Sequence, residues 1–189
     1  TVLIDLAYQG MGSGLVEDVQ GLRLMASRLG ELIVAASCSK NLGLYRERTG
    51  VALFFGRDTQ SAAATQSHGL GAARRVYSMP PAHGALLAGR VLSDPELRSS
   101  WERELEHVCG RMISLRTQLS EKLSAKTDQD FSFIAGEKGM FSFLGLSVEQ
   151  AKGLRQTHGL YMLDSSRINV AALNADNMDK VVAAVASAL

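Results

Sequence analysis

The chain has 189 residues, 46% of them hydrophobic, enough for one core and part of a second. Its 20 Lys and Arg against 19 Asp and Glu leave a net charge of +1, so nothing global favours nucleic acid or an anionic membrane surface. No apolar run reaches the length of a membrane span, no leader pattern opens the chain, and two cysteines make neither a disulfide framework nor a zinc site, which suits a reducing cytoplasm.

Val2 to Asp5 reads as a strand already under way, as in the later part of a longer protein, and a glycine-spaced loop, Gly10 to Gly14, follows it. Glu17 to Leu29 has helical spacing, with Val19, Leu22, Met25, Ala26 and Leu29 on one side. Leu32 to Ala36 reads as a buried strand and Val51 to Phe55 as another. This β-α-β order predicts an α/β unit with a mainly parallel sheet and covering helices.

Thr59 to Leu70 is predicted helical. Pro80 and Pro81 interrupt any continuous helix, and Ala82 to Leu92 starts another. Ser93 and Glu96 have capping-box spacing with Pro95 in the first turn. From there Leu97, Trp101, Leu105, Val108, Met112, Leu115, Leu119 and Leu123 keep a helical period, predicting a helix over about 94–125, longer than most globular helices. Strands near Phe131 to Ile134, Met140 to Leu144 and Ile168 to Ala171 are expected next, with helices at Ser147 to Thr157 and Asn177 to Leu189, forming a small α+β unit. The domain boundary is placed inside the long helix, giving a larger domain over 1–110 and a small one over 111–189.

Four places can carry chemistry. Asp5 and Tyr8 put a carboxylate and a phenol three residues apart at a strand end; an ordinary turn aspartate with a core tyrosine is the plainer alternative. Lys40 follows the second strand, where α/β sheets bind ligands, and an amine held partly out of water near cations is a nucleophile of the kind that forms Schiff bases. With Ser37, Ser39 and Arg48 beside it, the same loop suits an anion such as phosphate. Arg74 precedes Tyr77-Ser78-Met79-Pro80-Pro81 and is either a surface residue or a ligand contact. Arg167 opens an apolar strand, either as a charged edge residue or as a bidentate carboxylate clamp. The four histidines lack metal-ligand spacing, and Cys38 has no paired histidine. Trp101 and Phe141 read as core residues, Phe141 with the option of lining a pocket.

Five blocks, in this order, closely resemble the aspartate and aromatic amino acid aminotransferases of the fold-type I pyridoxal phosphate (PLP) enzymes. They are Asp5-x-Ala7-Tyr8-Gln9-Gly10; Ser37-x-Ser39-Lys40-Asn41-x-Gly43-Leu44-Tyr45-x-Glu47-Arg48; Tyr77-Ser78-x-Pro80-Pro81-x-His83-Gly84-Ala85; Gly139-Met140-Phe141-Ser142-Phe143; and Ser166-Arg167-Ile168-Asn169-Val170-Ala171. The resemblance covers essentially the whole chain. It implies the C-terminal part of a fold-type I large domain plus the small C-terminal domain.

The resemblance also implies roles. Lys40 forms the aldimine with PLP and moves the substrate proton; Asp5 pairs with the pyridine nitrogen; Tyr8 hydrogen-bonds the ring 3′-oxygen; Ser37 and Arg48 hold the phosphate. Arg167 clamps the substrate α-carboxylate, Phe141 packs near the substrate, and Arg74 reaches a dicarboxylate side chain in the neighbouring subunit of a homodimer with shared sites. The implied reaction is ping-pong transamination between aspartate or an aromatic amino acid and 2-oxoglutarate, without a metal, nucleic acid or membrane. Met11, Cys38, Leu42, Asp164 and Ala172 depart from the family pattern, which leaves substrate preference open. The phosphate loop, ring-stacking aromatic and asparagine of the family's first half are not found here. Two alternatives stay open: a non-catalytic fragment of such an enzyme, and a PLP enzyme of the same fold with another reaction.

Overall fold

The computed structural model describes all 189 residues. It divides into two units, Thr1–Glu106 and His107–Leu189, with the division inside one long helix.

In the first unit, β1 (Val2–Leu6), α1 (Gln20–Arg28, after a 3-10 turn at Glu17–Val19), β2 (Leu32–Ser37) and β3 (Gly50–Phe55) are followed by α2 (Thr59–Tyr77), α3 (His83–Ser93) and the start of α4 (Pro95–Lys126). The sheet order is β1-β2-β3. β1 runs parallel to β2, from Val2 opposite Leu32 to Leu6 opposite Ala36. The expected mainly parallel sheet is corrected at the next pair, because β3 runs antiparallel to β2, from Leu32 opposite Phe55 to Ser37 opposite Gly50. A parallel return needs a crossover, usually helical. Residues 38–49 contain no helix and fold into turns instead, so the chain reverses.

Leu32 and Val34 are fully buried, Ile33 between them is half-buried and Ala35 beyond them is exposed, so the expected buried strand has one buried face and one more open one. Helix α2 runs seven residues beyond the expected end at Leu70: Gly69 and Gly71 lower helix propensity without breaking the ladder, and the stop comes only before Pro80. The cap of α4 is also corrected. Ser93 closes α3, and Asp94 Oδ1 accepts from the Glu96 and Leu97 N–H groups at 3.0 and 3.2 Å.

The second unit holds the rest of α4, then α5 (Ser132–Gly136), β4 (Phe141–Phe143), α6 (Val148–His158), β5 (Arg167–Asn169), a 3-10 turn at Val170–Ala172 and α7 (Met178–Ala188). β4 and β5 pair antiparallel. The strand expected over Phe131 to Ile134 is a helix. Phe131 and Ile134 are buried three residues apart with Phe133 exposed, which is a helical rather than an alternating pattern. Leu119, Leu123, Phe131, Ile134, Leu154, Val170 and Val185 lie in one continuous core. No helix is long and apolar enough to cross a membrane.

Candidate active site

Parallel pairing brings the carboxyl ends of β1 and β2 to one edge. Asp5 lies opposite Ala35 and Leu6 opposite Ala36, so the segment Asp5–Tyr8 and the segment Ser37–Lys40 leave the sheet at the same edge. The Lys40 ammonium lies 4.7 Å from the centroid of the Tyr8 ring, within cation–π range.

The lysine turn is braced from several sides. Cys38 N–H donates to Thr49 O at 3.0 Å, Gly43 N–H to Lys40 O at 3.2 Å, and Ser39 N–H to Ser37 Oγ at 3.1 Å. Asn41 Nδ2 donates to Gln9 O at 3.3 Å, tying this turn to the segment after Tyr8. Trp101, read from sequence as a core residue, is only half-buried, and its Nε1–H donates to Asn41 O at 2.6 Å. Asn41 Oδ1, beside Lys40, is the buried side-chain polar atom that lacks a hydrogen-bond partner. Such atoms are rare in folded proteins. Burial pushes the Cys38 thiol above its usual range, which disfavours the thiolate and any nucleophilic role.

Arg48 is exposed, adopts φ 52°, and donates through Nη1 to Tyr45 O at 2.8 Å. Arg48, Ser78 and Ser166 are the non-glycine residues with positive φ. Arg48 and Ser166 belong to blocks that contain candidate residues, and Ser78 follows α2 four residues after Arg74; strained backbone of this kind concentrates at functional sites. Arg74 is carried separately, on the exposed last turn of α2. At Gly84, behind the lysine turn, an added Cβ would overlap Thr49 and Glu47, so only glycine allows α3 this approach.

Sequence reading missed Asp18. Its carboxylate accepts from the N–H groups of Gly10, Gly12 and Ser13 at 2.8, 2.9 and 2.8 Å, shaping the loop after Tyr8. Gly10 has φ +87°, and a Cβ there would overlap Leu105. The available signal was an acidic residue at a helix start just past spaced glycines. Asp18→Ala is expected to lower stability by about 2 kcal/mol, since hydrogen bonds to a charged acceptor are the strong kind. Urea unfolding checks this, and a loss under about 0.5 kcal/mol would mean the loop holds its shape without the carboxylate.

In the second unit Arg167 opens β5 with its side chain exposed, and its guanidinium carbon lies 4.4 Å from the centroid of the half-buried Phe141 ring. Asp164 accepts from Arg155 at 3.0 Å, so this departure from the family pattern forms an ion pair in the turn before β5.

Comparison with known proteins follows the same lines. The family model described as "Aminotransferase class I and II" matches residues 1–185. The chain is 48% identical to an aromatic-amino-acid aminotransferase of Paracoccus denitrificans over 182 residues, 96% of this chain and 46% of that protein. It is 43% identical to an aspartate aminotransferase of Escherichia coli (strain K12) over 188 residues, 99% of this chain and 48% of that protein. A crystal structure of an aromatic-amino-acid aminotransferase from Burkholderia pseudomallei, covalently bound to pyridoxal phosphate, superposes with a TM-score of 0.96 at 39% identity, covering 100% of this chain and 48% of that one. The chain thus spans about half the length of the curated relatives it matches. A lysine turn at the shared edge of β1 and β2, a matching fold and a family match over nearly every residue agree: the chain belongs to the class I and II aminotransferases.

Proposed function

We propose that this chain is part of a PLP-dependent aminotransferase that moves an amino group between aspartate or an aromatic amino acid and 2-oxoglutarate. The observation that carries the reading is that the segments holding Asp5, Tyr8, Ser37 and Lys40 leave one edge of a parallel strand pair, with the Lys40 ammonium over the Tyr8 ring. The donor set fits the cofactor. Lys40 supplies a primary amine for its carbonyl, Asp5 an exposed carboxylate for its ring nitrogen, Tyr8 a phenol for its ring oxygen, and Ser37 with Arg48 a hydroxyl and a guanidinium for its phosphate.

When bound, PLP supplies the electron sink that stabilises negative charge at the substrate Cα. This chain's residues do the rest. Asp5 keeps the ring nitrogen protonated. Lys40, once released by the incoming amino acid, is the base that takes the Cα proton. Arg167, on a strand and backed by Phe141, grips the α-carboxylate with two parallel hydrogen bonds and so fixes the Cα–H direction. Phe141 packs beside the substrate. The amino acid leaves as a 2-oxo acid before a second 2-oxo acid enters, which is ping-pong kinetics.

The remaining site residues are supplied by the rest of the enzyme, and the protein works as a cytoplasmic homodimer in which Arg74 serves the neighbouring site. The carboxylate-binding arginines favour transamination of dicarboxylates over elimination on the same scaffold. The test is absorbance of the full-length protein. A visible cofactor band that moves to shorter wavelength on adding aspartate or phenylalanine is expected, and no band with or without added PLP overturns the reading. Comparing kcat/KM for the two amino acids sets the preference, and sedimentation of Arg74→Ala beside the unmodified protein separates dimer loss from loss of dicarboxylate binding.

A further inference from the structure

Helix α4 puts Met112, Leu115, Arg116, Leu119, Ser120 and Leu123 on its buried face. Among the largest fully enclosed side chains of the molecule is the arginine, 2% exposed in the middle of an apolar stripe. A buried guanidinium is costly, and a well-packed apolar side chain would serve a core at least as well. What the arginine does is visible in where its donors go.

Nη2 donates to Phe141 O at 2.6 Å and to Gly139 O at 2.8 Å. Nη1 donates to Ser142 Oγ at 2.5 Å and lies 3.3 Å from both Ile134 O and Glu137 Oε2. Ser142 Oγ in turn donates to Glu137 Oε2 at 2.5 Å. Burial lowers the pKa of Arg116, and the Glu137 carboxylate opposes that shift. Each of these bonds ends within 134–142, the segment that leads into and forms the start of β4.

β4 is only three residues long, and a one-residue slip would exchange its faces. In the observed register Phe141 lies opposite Asn169, Ser142 opposite Ile168 and Phe143 opposite Arg167. Ser142 and Ile168 are buried, whereas Phe143, Arg167 and Asn169 are exposed, so Phe141 and Arg167 are diagonal neighbours on the other face. Arg116 grips the ladder from its buried side at Ser142 and through the Phe141 carbonyl. Arg167 rests on the Phe141 ring at the exposed side.

We propose that Arg116 is a positioning residue for carboxylate recognition: it locks the register of β4, holds the Phe141 ring beneath Arg167, and thereby aims the Arg167 fork. Its planar fork spans two carbonyls and a hydroxyl at once, which a lysine ammonium cannot reproduce. The proposal rests on the reading of Arg167 as the α-carboxylate clamp.

The test uses the full-length enzyme with PLP and the variant Arg116→Lys. Two substrates are compared: phenylalanine, and phenethylamine, which has the same ring and amine but no carboxylate. KM for phenylalanine should rise about 10- to 100-fold, the loss associated with a misplacement near 1 Å. The slow half-reaction of phenethylamine and the cofactor band should stay within about two-fold of the unmodified enzyme. Inhibition by maleate, a dicarboxylate without an amine, should weaken in step with phenylalanine. Should Arg116→Lys not fold, Ser142→Ala removes one bond of the network and should give the same split at roughly three-fold. Equal losses on both substrates would make Arg116 a general stability residue and overturn the proposal, as would unchanged KM and maleate inhibition. A missing cofactor band in the unmodified protein would instead overturn the aminotransferase reading, and this proposal with it.

Discussion

Lys40→Ala in the full-length enzyme is expected to abolish turnover and to remove the absorption of the covalently held cofactor. Two proposed roles end together, the attachment amine and the base at the substrate Cα. General base catalysis alone contributes roughly 10^2 to 10^4-fold, so the loss should reach at least that range. The fold should survive. Lys40 is half-buried on a turn held by backbone bonds from Cys38, Gly43 and Leu44, by Asn41 and by Trp101, and none of these bonds uses its side chain. The variant should therefore melt with the unmodified protein while its activity falls. Arg167→Ala, by contrast, should keep the cofactor band and raise KM. Normal transamination by Lys40→Ala would place the reactive amine elsewhere.

Phe131→Ala should be among the most damaging changes to the second unit, at about 3–5 kcal/mol for an enclosed aromatic. The ring is 1% exposed, within the core that includes Leu119, Leu123, Ile134 and Val185. The Phe131 backbone also joins α4: its N–H donates to Ser124 Oγ at 3.1 Å and its carbonyl accepts from Ser120 Oγ at 3.0 Å. Those bonds need no side chain, so the loss should come from the cavity. Phe131→Leu, which refills most of the space, should recover more than half of it. Since whole domains are stable by only about 5–15 kcal/mol, alanine here should leave this unit close to unfolding at ordinary temperature. Chemical denaturation of the chain with and without the substitution measures it, and a loss under about 1 kcal/mol would show that the core closes around the gap.

Local chemistry explains what could be read in advance. The apolar run from Leu32, the small polar residues after it and Lys40 form one continuous segment, so their order already places an amine beyond a strand end. The long helix was legible because eight apolar residues keep its period across residues 97–123. The helix at Ser132–Gly136 was not, because a five-residue element is too short for periodicity to separate from a strand. The reversal at β3 was not legible either: a lone β-branched and aromatic run carries no sign of its partner's direction. Asp18 escaped because its partners are three backbone N–H groups, and an acidic residue just past spaced glycines does not by itself identify them.

By itself the sequence supplied the residue types of the proposed site and their order: Asp5 and Tyr8, then Ser37, Lys40 and Arg48, then Arg74, Phe141 and Arg167. It could do so because reactive groups are properties of side chains and loops are continuous in the chain. The β-α-β order already predicted that β1 and β2 run parallel; only the tertiary structure decided their register, Asp5 opposite Ala35 and Leu6 opposite Ala36, and the antiparallel return of β3. Only it decided that Arg116, an unremarkable charge on a long helix, is enclosed and turned toward β4. Strand direction and burial arise from contacts between distant segments. Their energies depend on which groups meet, and a linear pattern holds no record of that.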